Sequence, residues 1–266
     1  MTILEPAGSE LDLLERDTFG FWRGFAERPG AACGVDNGVS WYRTSLPLEN
    51  YNGFIGPAPD VEAAVAWARS WDVPCRWIIN RTTASPDFIG SLERSGCVRS
   101  GEYPGLVAPV ARIGPSRAAG VTVTTVRDAK TFDVWGDILA EAFGFGGALA
   151  EYVKQAHAWH CLADPRRTYF LLHVDGEPVA TGLLHDAFGA AGVYGIAVRP
   201  EWRGRGLGKA ATQVTVQEGV RRGAELAVLQ ATPLGLPVYE GLGFQTLCSF
   251  ESWTIRDADP ERGVTP

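Results

Sequence analysis

The 266-residue sequence lacks the marks of several large protein classes. Basic residues are in the minority, with 24 Lys and Arg against 31 Asp and Glu, so the net charge is −7. A surface that binds nucleic acid or anionic lipid needs positive charge, which argues against both partners. No apolar run approaches the roughly 20 residues of a membrane-spanning helix, and no basic-then-apolar leader precedes Leu11. We therefore expect a cytoplasmic protein with no nucleic-acid and no membrane partner.

Disulfide partners and metal ligands are also scarce. The cysteines are odd in number, include no C-x-x-C pair, and stand at Cys33, Cys75, Cys97, Cys161 and Cys248. This pattern is typical of reduced core cysteines. His157 and His160 fall on a predicted helix without cysteine or carboxylate partners at metal-ligand spacing. The sequence therefore predicts no metal, and we assign both histidines to structure.

The most informative stretch runs from Ala191 to Lys209. It is an apolar strand that passes through Pro200 into a basic, glycine-rich turn and then a helix. The glycines allow a tight turn whose N–H groups point inward, and the helix directs its positive dipole end to the same place. The stretch predicts an anion cradle suited to phosphate, made of Arg203, Gly204, Arg205, Gly206, Leu207, Gly208 and Lys209.

Three families of glycine-rich loop bind phosphate in this way, and the spacing of their motif residues distinguishes them. A Walker loop is excluded, because Arg203 stands where its first glycine belongs and Ala210 where its Ser or Thr belongs. The dinucleotide fingerprint G-x-G-x-x-A is formally met from Gly206 onward, but the next strand ends at Thr232 without a carboxylate for a ribose. The third form, Arg/Gln-x-x-Gly-x-Gly/Ala, is met at Arg203, Gly206 and Gly208.

A second motif, Pro237-Val-Tyr239-Glu-Gly-Leu-Gly243-Phe244, follows the next predicted strand. The loop and this motif together resemble the GNAT superfamily of acyl-CoA-dependent N-acetyltransferases. The resemblance implies that the loop amides hold the pyrophosphate of coenzyme A. It also implies that Tyr239 is catalytic, as the acid that protonates the departing thiolate, with Gly243 and Phe244 packed beneath it.

The resemblance also implies roles for the central strand and for a residue near the acceptor cleft. The strand is expected to splay from its neighbour and to bind the coenzyme arm through Ile196, Ala197 and Val198, with an amide near Ala197 or Val198 facing the thioester oxygen. Glu141 ends a helix where family members line the acceptor cleft, which makes it a catalytic candidate as general base. His185-Asp186 is the rival, and the sequence does not decide between them.

The two halves of the chain follow one plan. Turn signals at Asn37-Gly38 and Asp175-Gly176 predict a hairpin in each half, and Leu92–Cys97 overlays Tyr239–Phe244. The first half lacks the basic glycine loop and has Leu92 in place of the tyrosine. We predict a mixed α/β (α+β) fold of two tandem GNAT-like units, each a mostly antiparallel central sheet flanked by helices.

These features also predict the domain organisation. Residues 1–115 form a degenerate GNAT-like domain and residues 121–256 the catalytic acetyltransferase domain, with a Gly- and Pro-containing linker between them. Residues 257–266 are expected to be a flexible tail. The oligomeric state is expected to be a monomer or a homodimer.

The leading functional hypothesis is an acetyl-CoA-dependent N-acetyltransferase. Acetyl-CoA is the co-substrate, and the acceptor is a small-molecule amine, preferably cationic because the surface is acidic. Attack is direct in a ternary complex, because no cysteine neighbours a recognisable base for a covalent intermediate. Two alternatives stay open: a non-catalytic acyl-CoA sensor or assembly protein, and a transferase for protein amines or longer acyl chains.

Overall fold

A computed structural model describes residues 9–256 of the chain. The helices are α1 (Glu10–Gly24), α2 (Val61–Arg69), α3 (Pro86–Arg94), α4 (Ala129–Phe143), α5 (Gly147–Ala163), α6 (Leu207–Arg221) and α7 (Leu236–Glu240). The strands are β1 (Ala32–Asp36), β2 (Val39–Arg43), β3 (Asn52–Ile55), β4 (Cys75–Asn80), β5 (Cys97–Pro109), β6 (Val121–Thr125), β7 (Arg167–Val174), β8 (Glu177–Ala187), β9 (Ala190–Val198), β10 (Leu226–Gln230) and β11 (Gln245–Ile255). The predicted tail, residues 257–266, lies outside the described residues.

All of these strands join one sheet, in the order β1-β2-β3-β4-β11-β5-β10-β9-β8-β7-β6. Only two neighbouring pairs among them are parallel, β3 with β4 and β9 with β10. Each parallel pair is connected through a helix, α2 in one case and α6 in the other, as a parallel crossover requires. The predicted mixed α/β fold with a mostly antiparallel sheet is therefore confirmed.

The two halves exchange their last strands across this sheet. Strand β5 ends the first half, yet it pairs with β10 of the second half. Strand β11 ends the second half, yet it pairs with β4 of the first half, where Phe250 lies opposite Asn80. β5 and β11 also pair with each other at the centre. The sheet is thus continuous across the predicted boundary at residues 115–121, whereas the sequence predicted one central sheet for each unit.

The predicted hairpins are present and have the expected turn chemistry. Asn37 and Gly38 have φ of 47° and 77°, and Asp175 and Gly176 have φ of 52° and 83°. Two consecutive positive φ values define the turn that matches the right-handed twist of paired strands, which is why Asn-Gly and Asp-Gly favour it. The first turn joins β1 to β2 and the second joins β7 to β8.

Helices cover the sheet and enclose separate groups of buried side chains. The first half has a tryptophan-rich core around α2 and α3, in which Trp77 and Leu92 are fully buried. The second half has a core between α6 and the sheet, with Ala211 and Val216 fully buried. None of the helices in residues 9–256 is long and apolar enough to cross a membrane.

Candidate active site

A wedge opens in the sheet between β9 and β10. The two strands pair from Ala190 with Leu226 to Gly192 with Val228, and the pairing ends there. On its other side β9 stays paired with β8 as far as Val198. Gly195 has φ of 54° beside an irregularity in that ladder, as in a bulge that bends a strand. The splay expected from the resemblance is therefore confirmed, and it leaves one backbone edge of β9 facing the gap.

The glycine-rich loop lies at the mouth of this wedge. Gly204 and Gly206 have φ of 75° and 78°, a left-handed conformation that other L-residues adopt only at a cost. Gly206 is the N-cap of α6, and no side chain caps the helix. The first amides of α6 are therefore open to a ligand, and the helix dipole adds positive potential at the same point. The loop has the geometry of an anion cradle.

Two cavities meet at this end of the sheet. The first, which we call the loop cavity, has a volume of about 330 Å³. It is lined by Ala142, Phe143, Ile196, Ala197, Val198, Trp202, Arg203, Gly204, Gly206, Leu207, Gly208, Lys209, Thr232, Leu234, Gly235, Val238 and Tyr239. Every residue predicted to bind the coenzyme is in this lining except Arg205. The Arg205 guanidinium instead lies 4.6 Å from the centre of the Trp202 ring.

The second, which we call the aromatic cavity, has a volume of about 470 Å³. Its wall is largely apolar and comes from both halves of the chain: Phe21, Trp22, Asn50, Tyr51, Arg76, Ile78, Tyr103, Leu139, Phe143, Phe145, Val153, His157, Val193, Tyr194, Gly195, Ile196, Gln230, Thr232, Tyr239, Phe250, Glu251 and Ser252. Four residues line both cavities: Phe143, Ile196, Thr232 and Tyr239. The two cavities are therefore adjoining arms of one cleft.

Tyr239 lies where the two arms meet. Its side chain is 8% exposed, and burial raises the pKa of its phenol to about 12. The hydroxyl makes no hydrogen bond within the described residues, while the ring packs edge-on against Phe244 at 6.0 Å. A Cβ at Gly235 would lie 2.8 Å from the ring, so the close packing requires glycine there. At neutral pH the group is a protonated donor with no partner in the described chain.

Arg203 connects the loop to two neighbouring elements through hydrogen bonds. Its Nη2 donates to the Ala142 carbonyl at 2.7 Å, and its Nε donates to the Val198 carbonyl at 3.3 Å. These bonds join the loop to the end of α4 and to the end of β9. The guanidinium remains exposed beside the loop cavity, where it can also meet an anion.

The predicted general bases are not brought to the cleft. The Glu141 carboxylate forms an ion pair with Arg199, and Glu141 lines neither cavity. His185 is buried, with Nδ1 3.0 Å from Oδ1 of Asp17, and Asp186 pairs with Arg222 at 3.4 Å. Each group has a partner that occupies it. The assignment of Glu141 as a catalytic residue stays a prediction.

His157, assigned to structure from the sequence, lines the aromatic cavity. Its Nδ1 lies 3.1 Å from the Tyr169 hydroxyl, and burial lowers its pKa well below the usual value. The ring is therefore neutral at neutral pH. Val153 lies four residues earlier in α5 and lines the same cavity. That helical spacing was the available signal, since it places both side chains on one face.

Comparison with known proteins finds a family match within the second half of the chain. Residues 133–244 match the model of the Acetyltransferase (GNAT) family. The chain contains a GNAT-family domain. The matched segment begins within α4 and runs to the end of the Tyr239 motif, so it includes the loop and both strands of the wedge. The family supports acyl transfer as the general activity.

Solved structures resemble the GNAT domain and the first half together. A GCN5-related N-acetyltransferase from Kribbella flavida has a TM-score of 0.67 at 19% identity, covering 92% of this chain and 96% of its own. A tandem GNAT protein from the clavulanic acid biosynthesis pathway has a TM-score of 0.57 at 14% identity, covering 96% and 98%. At these identities the likeness shows the fold. A search of curated proteins finds no match.

The residues of the GNAT domain fit a coenzyme with a diphosphate. The left-handed glycines and the open amides of α6 offer donors to an anion, and the unpaired edge of β9 offers peptide groups to an extended arm. The corresponding connection of the first half, between β3 and α2, has no such loop: β3 ends at Ile55, and α2 begins at Val61 with the acidic side chain of Asp60 as its cap. Within residues 9–256, this combination of loop and unpaired strand edge lies in the second half.

Proposed function

We propose that the protein is an acetyl-CoA-dependent N-acetyltransferase that acts on the amine of a small molecule. The observation that carries the proposal is the place of Tyr239. Its unpartnered hydroxyl stands between an anion cradle on one side and an apolar cavity on the other. An acid is needed at that junction when an acyl group passes from a coenzyme thiol to an acceptor.

Two parts of the chain would bind two parts of the coenzyme. The amides of Gly204 to Lys209 and the Arg203 guanidinium would hold the diphosphate. The backbone of Ile196 to Val198 would hold the extended arm as an added strand, and an amide near Ala197 or Val198 would stabilise the negative charge that develops on the carbonyl oxygen. When bound, the coenzyme supplies the activated acyl thioester.

The transfer forms a carbon–nitrogen bond, breaks a carbon–sulfur bond and moves two protons. The amine nitrogen attacks the thioester carbon, the carbon–sulfur bond breaks, and Tyr239 gives its proton to the departing sulfur. The attacking nitrogen loses its proton to a base. Glu141 and His157 are the two candidates: Glu141 is tied to Arg199, whereas His157 lines the aromatic cavity in its neutral form. Comparing Glu141→Gln with His157→Gln in pre-steady-state transfer separates them.

Attack within a ternary complex is the mechanism we propose. No cysteine is among the residues that line either cavity, so the cleft offers no thiol for an acyl-enzyme intermediate. Initial-rate kinetics should therefore give intersecting rather than parallel double-reciprocal lines.

The test of the function is transfer of labelled acetyl groups from acetyl-CoA to a panel of small amines, with the product identified by mass spectrometry. We expect acetylated amine only in the presence of the protein. Tight coenzyme binding with no product from any amine would contradict an enzyme and favour a non-catalytic acyl-CoA sensor. Faster use of a longer acyl-CoA, or of a peptide amine, would correct the donor or the acceptor.

A further inference from the structure

Arg76 places a positive charge in the wall of the aromatic cavity. It belongs to β4 of the first half and is 4% exposed. It alternates along the strand with Cys75 and Trp77, which pack into the first-half core on the opposite face of the sheet. The same alternation places Ile78 beside Arg76 on the cavity face.

The guanidinium forms no ion pair in the part of the chain that the structure describes. Its Nε donates to the Tyr42 hydroxyl at 3.4 Å and its Nη2 to the Asn50 carbonyl at 3.3 Å. Its carbon lies 4.1 Å from the centre of the Trp22 ring. The described residues provide no carboxylate in an ion pair with it and no acceptor for Nη1.

A second buried arginine, Arg167, has a carboxylate partner that Arg76 lacks within the described residues. Arg167 is equally buried, at 4%, but its Nε lies 3.7 Å from the Asp164 carboxylate and its Nη2 donates to the Phe21 carbonyl at 2.7 Å. A buried cation without a counter-charge is costly unless a ligand supplies one. Arg167 is outside the cavity lining and has its carboxylate, whereas Arg76 is in the lining without one.

The rest of the lining does not neutralise Arg76. Glu251 is the one acidic residue of the lining, and its carboxylate is already held by Arg99 at 3.3 Å and by the Trp253 indole at 3.0 Å. It pairs in register with Ile79, so its side chain points to the face opposite Arg76. The cavity therefore has a net positive group in an apolar wall.

We propose that the acceptor is an amine that also carries an anionic group, a carboxylate or a phosphate, and that Arg76 binds this group. The inference rests on the proposed function. The amine lies at the Tyr239 end and the anion at the Arg76 end, with an apolar body between the aromatic walls. A guanidinium suits this role because its planar fork makes paired, charge-assisted hydrogen bonds to such oxygens. The acidic surface suggested a cationic acceptor, but the cavity favours an amine with an acidic group.

The test compares three sets of amines of graded chain length: ω-amino carboxylates, aminoalkyl phosphates and neutral alkylamines. Relative kcat/KM values come from competition, and calorimetric titration of the protein loaded with coenzyme A gives affinities that do not depend on turnover. We expect the wild type to prefer one anionic set over neutral amines of equal length by on the order of 10- to 100-fold. The preferred set identifies the group as carboxylate or phosphate.

Arg76→Met should remove the preference by lowering kcat/KM for the anionic amines alone. Arg43→Met is the matched control, since it removes another arginine that stacks on a tryptophan of the first half, 5.7 Å from the centre of the Trp71 ring, outside both cavities. It should keep the wild-type preference. If Arg76→Met does not fold, Arg76→Lys keeps the charge without the fork and should retain only part of the preference.

The outcomes separate this inference from the function on which it rests. Acetylation of amines with no preference for anionic ones in the wild type would overturn the role of Arg76 and leave the transferase intact. An unchanged preference in Arg76→Met, or in Arg76→Lys where only that variant folds, would do the same. Absence of transfer to any amine would overturn the proposed function. In that case calorimetric selectivity for the anionic amines would still support the binding site, and its absence would overturn the site as well.

Discussion

The Tyr194 hydroxyl donates a 2.7 Å hydrogen bond to the carboxylate of Asp17, a residue 177 positions earlier in the sequence. The same carboxylate lies 3.0 Å from Nδ1 of His185. All three side chains are buried, and the Tyr194 ring stacks on Phe21 at 3.6 Å. This contact attaches α1 to β8 and β9 at the wall of the aromatic cavity, so the first half helps to position the central strand.

Asp17→Ala should therefore destabilise the whole protein. The variant leaves a buried hydroxyl and a buried imidazole without their shared acceptor, and losses of this kind are about 3 to 5 kcal/mol. Urea denaturation followed by circular dichroism measures the change in the free energy of unfolding. Asp133→Ala is the control, because Asp133 is exposed on α4, and it should change stability by less than about 0.5 kcal/mol. A loss below about 1 kcal/mol for Asp17→Ala would show that the network contributes little.

Arg203→Glu should weaken coenzyme binding with little effect on the chemical step. The substitution removes charge-assisted bonds to the diphosphate, each worth roughly 1.5 to 3 kcal/mol, and adds repulsion. It also breaks the bonds to the Ala142 and Val198 carbonyls. Calorimetry should show a coenzyme Kd increased at least about tenfold. Lys130→Glu reverses an exposed charge outside both cavities and should leave Kd within about twofold. A Kd within about threefold of wild type for Arg203→Glu would refute the placement.

Tyr239→Phe should lower kcat by about 10² to 10⁴, the usual contribution of a positioned acid. The KM for acetyl-CoA should change little, because the ring and its packing on Phe244 remain. Tyr152→Phe, which removes a hydroxyl from α5 outside both cavities, should leave kcat within about twofold. Melting temperature and coenzyme affinity must be unaltered for the comparison to hold. A drop below about fivefold with chemistry rate-limiting would mean that the thiolate takes its proton elsewhere.

His157→Gln should reduce the amount by which the free energy of unfolding falls as the pH is lowered. Burial lowers the pKa of His157 in the folded protein, so below about pH 6.5 the unfolded chain takes up a proton that the folded chain does not. The stabilisation is complete above pH 6.5 and falls as the pH is lowered towards the folded-state pKa. Unfolding free energies of wild type and variant, measured between pH 7.5 and 5, should converge at the acidic end. Parallel curves would contradict the lowered pKa of His157 in the folded protein.

Local elements were predictable from the sequence because their signals are local. The strand, glycine-rich turn and helix predicted from the Ala191–Lys209 stretch are observed as β9, the loop and α6. The glycines of the loop could be identified because their conformation needs that residue type, whatever packs around it. The exchange of β5 and β11 could not be predicted, because period-two alternation shows which face of a strand is buried but not which strand lies beside it.

The candidate site was predictable only on the coenzyme side. The loop and Tyr239 lie close together in sequence, whereas the aromatic cavity joins Trp22 and Arg76 to residues of the GNAT domain. The available signal for Arg76 was one charge inside the apolar run Cys75-Arg-Trp-Ile-Ile. Glu141 was assigned from its place at the end of a predicted helix and from the resemblance, and no local pattern shows that Arg199, 58 residues later, forms an ion pair with it.

The strand exchange also determines the order in which the strands can pair during synthesis. During synthesis β4 emerges early, yet its neighbour β11 is the last strand of the described chain. Until then one edge of β4 has unpaired peptide groups that can recruit other strands. Synthesis must therefore reach the end of β11 before the pairing of β4 and β5 is complete, and chaperones would meet an open edge during that interval. Nonsense mutations just before Gln245 would harm the half that is made first as well as the half that they shorten.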